Sequence, residues 1–352
     1  MMAANLGVPN LMSTDAEILL SRVAAMPKAE IHVHLEGATD AETVYEMAAR
    51  NRVTLPAASL AEWQTFFEFR DFHHFIDVYL TSCRAIQTLD DWVLMVERFL
   101  QNQARQNIRY SEVFISTSQH LAKFPARDFL QALTEGVASG EAKSGSRMRV
   151  IADISRETPD SRHAVLEFAL MARESGLVVG LGLGGLEAEF PPELFEDVYA
   201  EARRQRLRVV AHAGEVAGPE SVWGALRSLG AERLGHGIRC LADPALVAHL
   251  AAQKIPIEVC PLSNYRLGAV AADAPHPIRA MVDAGLFCTL NSDDPAMFSS
   301  SLTEDYQLLV RQGFSWPEIW QLSRNTLEAT FLPEPEKAAL RAEWQRFADN
   351  LA

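Results

Sequence analysis

The sequence predicts an α/β protein of the (β/α)8 class, a TIM barrel with additional helices after the first strand and at both termini. Three observations carry this. Short segments rich in Val, Ile and Leu recur along the 352 residues and alternate with helix-like stretches, as in a parallel sheet buried on both faces. Residues that ligate metals or move protons stand at the ends of four of these segments, where barrel enzymes keep their chemistry. An open doubly wound sheet usually carries a Gly-rich phosphate loop after its first strand, and none is present.

The strand-like segments are 29–36 (AEIHVHLE), 108–117 (IRYSEVFIST), 147–154 (RMRVIADI), 177–184 (LVVGLGLG), 207–214 (LRVVAHAG), 232–238 (ERLGHGI), 255–260 (IPIEVC) and 286–291 (LFCTLN). The sixth, with two glycines, is the weakest by composition. Between them, 160–175, 219–229 and 243–253 read as helices. Asp160, Pro219 and Asp243-Pro244 suit helix starts, and Gly176 and Gly230 suit helix ends. The chain reads as one domain, 1–352, with two additions to a minimal barrel. An insertion over about 37–107 carries Trp63, Phe66, Phe67, Phe69, Phe72, Phe75 and Tyr79. Their helical spacing predicts mostly core positions, and a segment leaving the end of a strand is also placed to act as a lid. Residues of about 301–352 read as a helical appendage.

Composition narrows the function. An apolar fraction of 48% with 22% charged residues suits a large core, and 32 basic against 46 acidic residues give a formal charge of −14. That balance argues against nucleic acid as a partner. Met1 to Pro27 has no basic segment followed by an apolar one, and no apolar run approaches membrane-spanning length, so the expectation is a cytoplasmic protein without a membrane partner. Cys83, Cys240, Cys260 and Cys288 form no CxxC pair and read as reduced core residues.

His32 and His34 lie two residues apart on the first strand, so both point to one side while Ile31, Val33 and Leu35 point to the other. A single inward His is usually a satisfied core residue; two of them, with His212 and Asp293 at other strand ends, make a metal set. Histidine and carboxylate donors without cysteine suit a catalytic Zn²⁺, one per chain. Glu215 lies three residues past His212 in a turn eased by Gly214, where a carboxylate is ordinarily a cap or surface group. Beside a metal it becomes a proton shuttle. His236, framed by Gly235 and Gly237, can orient a nucleophile and stabilise developing charge. Asp293 and Asp294 both reach the site only if the chain turns after the eighth strand.

The motifs HVHLEG, HAGE, LGHG, CPLSN and NSDDPAMF, in this order over roughly residues 28–330, resemble the adenosine deaminase family, which includes adenine deaminases. The resemblance implies hydrolytic loss of ammonia from C6 of an aminopurine, with Zn²⁺ on His32, His34, His212 and Asp293. It implies Glu215 as proton donor to ring N1, His236 as the group that positions the attacking hydroxide, Asp294 on purine N7 and Gly185 near N3. Glu36 stands where adenosine enzymes of the family carry a ribose-contacting Asp, which weakens a plain adenosine assignment. GLGLGGLEAEFPP and AGPESVWGAL are similar to the bacterial subgroup that includes aminodeoxyfutalosine deaminases of the alternative menaquinone route, whereas CPLSN is similar to the adenine-deaminase spelling.

The resulting expectation is deamination of an adenine nucleoside, aminodeoxyfutalosine ahead of adenosine, with free adenine as the alternative. An aminodeoxyfutalosine substrate adds a benzoate that calls for a bidentate cation, for which Arg70 and Arg156 are the candidates. A dinuclear amidohydrolase is disfavoured because the fourth strand has neither Lys nor His. Deaminases with a PCxxC signature are excluded by its absence. A metal-stabilised binding module would be expected to lack at least one of Glu215, His236 and Asp294.

Overall fold

The computed structural model describes residues 14–351. Residues 1–13 of the N-terminal stretch in which no signal peptide is expected lie outside them. Eight parallel strands follow one another around a barrel in chain order: β1 (Lys28–His34), β2 (Ile108–Ile115), β3 (Arg147–Ser155), β4 (Val178–Gly184), β5 (Arg208–Ala213), β6 (Arg233–His236), β7 (Pro256–Val259) and β8 (Phe287–Leu290). Each falls on its predicted segment. β8 returns to β1 through the amide of His34 donating to the carbonyl of Asp293 (2.8 Å) and the amide of Asp293 donating to that of His32 (3.1 Å). This seam brings three site residues together before any side chain is considered.

The outward faces of the strands are apolar and pack under the helices, with Ile31, Val33, Val113, Val150 and Leu181 all buried. The inward face combines a small apolar cluster, Phe114, Ile151 and Val210, with buried charges at the floor. Arg233 of β6 sits between Glu112 of β2, to which it donates, and Glu258 of β7, 2.6 Å away. Its guanidinium lies 3.9 Å from the ring centroid of Phe331. Charges this deep persist only when paired and hydrogen-bonded, so the barrel floor is an ionic plug.

The insertion between β1 and β2 forms four helices, Ala41–Asn51, Leu60–Phe67, Phe72–Ala85 and Leu89–Arg105. Trp63 and Phe67 are buried, Phe66, Phe69, Phe75 and Tyr79 are partly covered, and Phe72 is exposed. The insertion reaches across the barrel mouth: Phe69 and Phe75 pack on Phe298 at centroid distances of 5.8 and 5.0 Å, four residues past Asp294.

The C-terminal region differs from the expected appendage. Trp316–Ala329 lies against β1 and β8 as part of the barrel's outer ring. Asn325 donates to the carbonyl of Cys288 (2.9 Å) and Ser323 to that of Pro27 (3.2 Å). Glu334–Asp349 packs outside that ring, through Leu340 and Trp344. The four cysteines are free, all but Cys83 being buried. Among the described residues no helix is long and apolar enough to cross a membrane.

Candidate functional site

At the C-terminal mouth of the barrel, one ligand atom from each of His32, His34, His212 and Asp293 lies within 4.8 Å of the others. His32 and His34 project inward from β1 at period two, and His212 from β5. Asp293 reaches them because the chain turns three residues past β8, with φ of 68° at Asp293, a left-handed conformation uncommon outside glycine. Asp293 Oδ1 lies 3.4 Å from His32 Nε2 and 3.3 Å from His34 Nε2. His34 Nε2 and His212 Nε2 are 3.2 Å apart. Gly235 makes room for this crowding, since a Cβ there would lie 2.7 Å from His32 Cε1.

Outer hydrogen bonds settle the tautomers of two rings. His32 donates from Nδ1 to Glu258 Oε2 (2.8 Å), and His212 donates from Nδ1 to the carbonyl of Leu183 (2.9 Å). Both therefore turn an Nε2 lone pair inward, and His32 Nε2 is buried with no hydrogen-bond partner. Converging imidazole lone pairs beside a carboxylate oxygen are the donor set of a divalent cation, so the residues fit Zn²⁺.

Glu215 and His236 flank this cluster. His236 ends β6, paired in register with Ala213 of β5, and like Asp293 has a positive φ, 61°. Asn264 Nδ2 lies 3.2 Å from His236 Nδ1 and 3.4 Å from Glu215 Oε1, while Asn264 Oδ1 is 3.2 Å from His276 Nε2. His276 Nδ1 accepts from the amide of Ile278, so its Nε2 carries the proton. That orients the Asn264 amide, makes His236 Nδ1 an acceptor, and leaves N–H at His236 Nε2, 3.9 Å from Asp293 Oδ2. Ser263 donates to the same Oδ2 (2.6 Å). Burial pushes the Glu215 carboxyl up to about 8, helped by the negative charges of Asp293 and Glu187. Burial also holds His236 down at about 4, against the pull of Asp293.

The remaining predicted residues divide. Asp294 is buried beside the cluster, its carboxyl raised to about 7 by burial and by Asp293. Gly37 gives it space, since a Cβ at 37 would lie 1.7 Å from Asp294 Oδ1. Glu36 is buried; its Oε1 accepts from the Ser116 amide (3.0 Å) and faces His120 Nε2 (2.8 Å), while Oε2 has no partner. Gly185 follows β4 with φ of 101°, a position a side chain would strain.

The structure does not bring the two candidate arginines into the ligand cluster. Arg156 is fully buried and donates to the carbonyls of Phe190 and His212 (2.7 Å to the latter), so its cation is engaged by backbone. Arg70 is exposed, 5.8 Å from the ring centroid of Phe66, and lines a surface hollow with Pro56, Ala61, Glu62 and Thr65 rather than the cluster.

Sequence reasoning missed Glu258, Ser263, Asn264, His276, His120 and Glu187. The available signals were a lone Glu inside the apolar IPIEVC strand and the polar pair of CPLSN, which was read only for its spelling.

Comparison with known proteins places this arrangement in context. The family model described as adenosine deaminase matches residues 27–346. An aminodeoxyfutalosine deaminase of Streptomyces avermitilis is 38% identical over 330 residues, covering 92% of each chain. The crystal structure of an adenine deaminase from Arthrobacter aurescens superposes with a TM-score of 0.86 at 34% identity, covering 92% of this chain and 100% of that one. An amidohydrolase from Burkholderia ambifaria, solved with bound Zn, gives a TM-score of 0.86 at 27% identity, covering 97% of this chain and 96% of the other.

Proposed function

We propose, from the premise that this chain belongs to the adenosine deaminase family and is a deaminase, that it removes the 6-amino group of an adenine nucleoside. Water and the 6-aminopurine give the 6-oxopurine and ammonia. The observation that carries this reading is the meeting of Glu215, His236 and Asp293 around one point, their donor atoms within 4.8 Å, on the edge of the four-residue ligand set.

His32, His34, His212 and Asp293 would hold Zn²⁺, which when bound supplies Lewis-acid activation of water at neutral pH. The residues around it do the rest. Glu215 donates a proton to purine N1, making C6 electrophilic as the oxygen nucleophile adds there. His236, with N–H at Nε2, orients that oxygen. Purine N7 offers a lone pair, so Asp294 meets it as the neutral acid. Gly185 brings backbone close to N3, and Glu36 Oε2 remains as an acceptor for a substrate donor.

The nucleoside reading is supported by the likeness to the Streptomyces enzyme named for aminodeoxyfutalosine. A second reading, free adenine, is supported by the likeness to the adenine deaminase of Arthrobacter aurescens, while the engagement of Arg156 with backbone and the outward placement of Arg70 weigh against a benzoate-bearing nucleoside in particular. Ammonia release from aminodeoxyfutalosine, adenosine and adenine, compared as kcat/KM by zinc-loaded protein, tests both. A nucleoside preference supports the first reading and an adenine preference the second. No release from any of the three by folded, zinc-replete protein refutes both.

A further inference from the structure

We propose that Glu187 is a positioning residue for the deamination, holding the segment that carries Glu215 in its working place. The inference rests on the reading of Glu215 as the proton donor.

Glu187 lies three residues past β4, only 6% exposed, and its carboxylate receives five donors from the neighbouring unit. Oε1 accepts from the amide of Gly214 and the hydroxyl of Ser221 (2.6 Å). Oε2 accepts from the amides of Glu215 (3.1 Å), Val216 (2.9 Å) and Ala217 (3.0 Å). Four successive peptide N–H groups thus converge on one side chain, an anion nest filled from within the protein. The turn is permitted by Gly214, with φ of 76°, where a Cβ would lie 2.5 Å from Val222 Cγ2.

This anchoring matters because little else fixes the Glu215 carboxylate. Its contacts to Asn264 (3.4 Å) and His236 (3.5 Å) are long. Val216 beside it is 64% exposed, so packing does not restrain the loop at that point. Arg239 adds a contact to the Glu215 carbonyl at 3.3 Å, and its amide donates to Gly214 O at 2.8 Å. These restrain carbonyls, whereas the amide row from 214 to 217 depends on Glu187. A carboxylate suits this role and a carboxamide does not, because the NH2 of Gln would face N–H groups with nothing to accept them.

The test compares Glu187→Gln, Glu215→Gln and the double variant by steady-state kinetics and zinc content, with amide exchange measured over 214–217. We expect Glu187→Gln to keep its zinc and KM while kcat falls about 10–100-fold, the scale of a misplaced catalytic group, with faster exchange over 214–217. In the Glu215→Gln background the same change should cost less than about 3-fold, because coupled residues are not additive. Glu187→Asp, which keeps an acceptor on a shorter stem, should recover part of kcat.

A multiplicative loss in the double variant, a fall in zinc content with kcat, or an unchanged kcat overturns the proposal. If Glu187→Gln does not fold, Glu187→Asp and Ser221→Ala decide it. Both must lower kcat at constant KM, and unchanged kcat in either refutes it. Full activity in Glu215→Gln would instead refute the parent reading.

Discussion

His32 donates from Nδ1 to Oε2 of Glu258 across 2.8 Å, and neither side chain is reached by solvent. The bond fixes the His32 tautomer and aims Nε2 at the other three candidate ligands. Glu258 is itself held by Arg233 at 2.6 Å, which carries this ordering down to the barrel floor. Carboxylates that hydrogen-bond the outer nitrogen of a metal-binding histidine tune metal affinity by about 10–100-fold. Glu258→Gln should therefore weaken zinc binding by that factor, read by competition with a chromophoric chelator. Wild-type affinity in a folded variant would remove Glu258 from the role.

Glu215→Gln separates chemistry from binding. The amide has nearly the same shape but cannot give up the proton assigned to purine N1, while all four candidate ligands are untouched. We expect kcat to fall by about 10²–10⁴-fold with zinc content at one per chain. Activity within a few-fold of wild type would place the proton donor elsewhere.

Gly37→Ala probes Asp294. A Cβ at 37 would lie 1.7 Å from Asp294 Oδ1, and the Gly37 carbonyl also accepts from the amides of Ala296 and Met297. The carboxyl or the loop beneath it must move. The expected result is a loss of about 10–100-fold in kcat/KM with zinc retained. Unchanged kinetics would show that Asp294 is not needed where the structure puts it.

Arg156→Met should act on the whole protein rather than on one substrate. Its guanidinium satisfies the carbonyls of His212 and Phe190 inside the fold, and Met leaves both unpaired. A stranded buried acceptor costs about 1–3 kcal/mol and the part-buried Phe190 carbonyl costs less, so denaturant unfolding should show a loss of about 1–4 kcal/mol. Turnover of nucleoside and base should suffer alike. Selective loss of aminodeoxyfutalosine turnover at unchanged stability would restore Arg156 as its anion partner.

Arg156 also marks where the sequence stopped being legible. The barrel strands could be read because strands buried on both faces are apolar along their length, and His32, His34, His212 and Asp293 stood out as polar interruptions at their ends. The direction of a long side chain past a strand end is not written in local pattern: Arg156 turns inward to carbonyls that only the fold supplies. Glu258 and Arg233 were hidden for a related reason, since a lone charge in an apolar strand acquires meaning only from a partner on another strand. Residues 316–329 read as an appendage because helical periodicity shows an apolar face without showing that β1 and β8 cover it.

His276 gives the protein a pH dependence of its own, away from the candidate ligands. Burial, assisted by the neighbouring His236, holds its imidazole at about 3, well below the ordinary histidine value. Both ring nitrogens are already used, Nε2 toward Asn264 Oδ1 and Nδ1 as acceptor from the amide of Ile278. Protonation at Nδ1 would break the second bond and bury a charge. Because the folded pKa lies below the unfolded one, the unfolded chain binds the extra proton first as pH falls. The stability is therefore complete above about pH 6.5 and declines as pH drops from there toward about 3. The slope is one proton's worth, about 1.4 kcal/mol per pH unit. His276→Gln should flatten urea-unfolding stability by that slope between pH 6 and about 4.5 at matched zinc. Parallel pH curves for the two proteins would show that His276 titrates normally, and that the ring does not hold Asn264 in the orientation that sets the His236 tautomer.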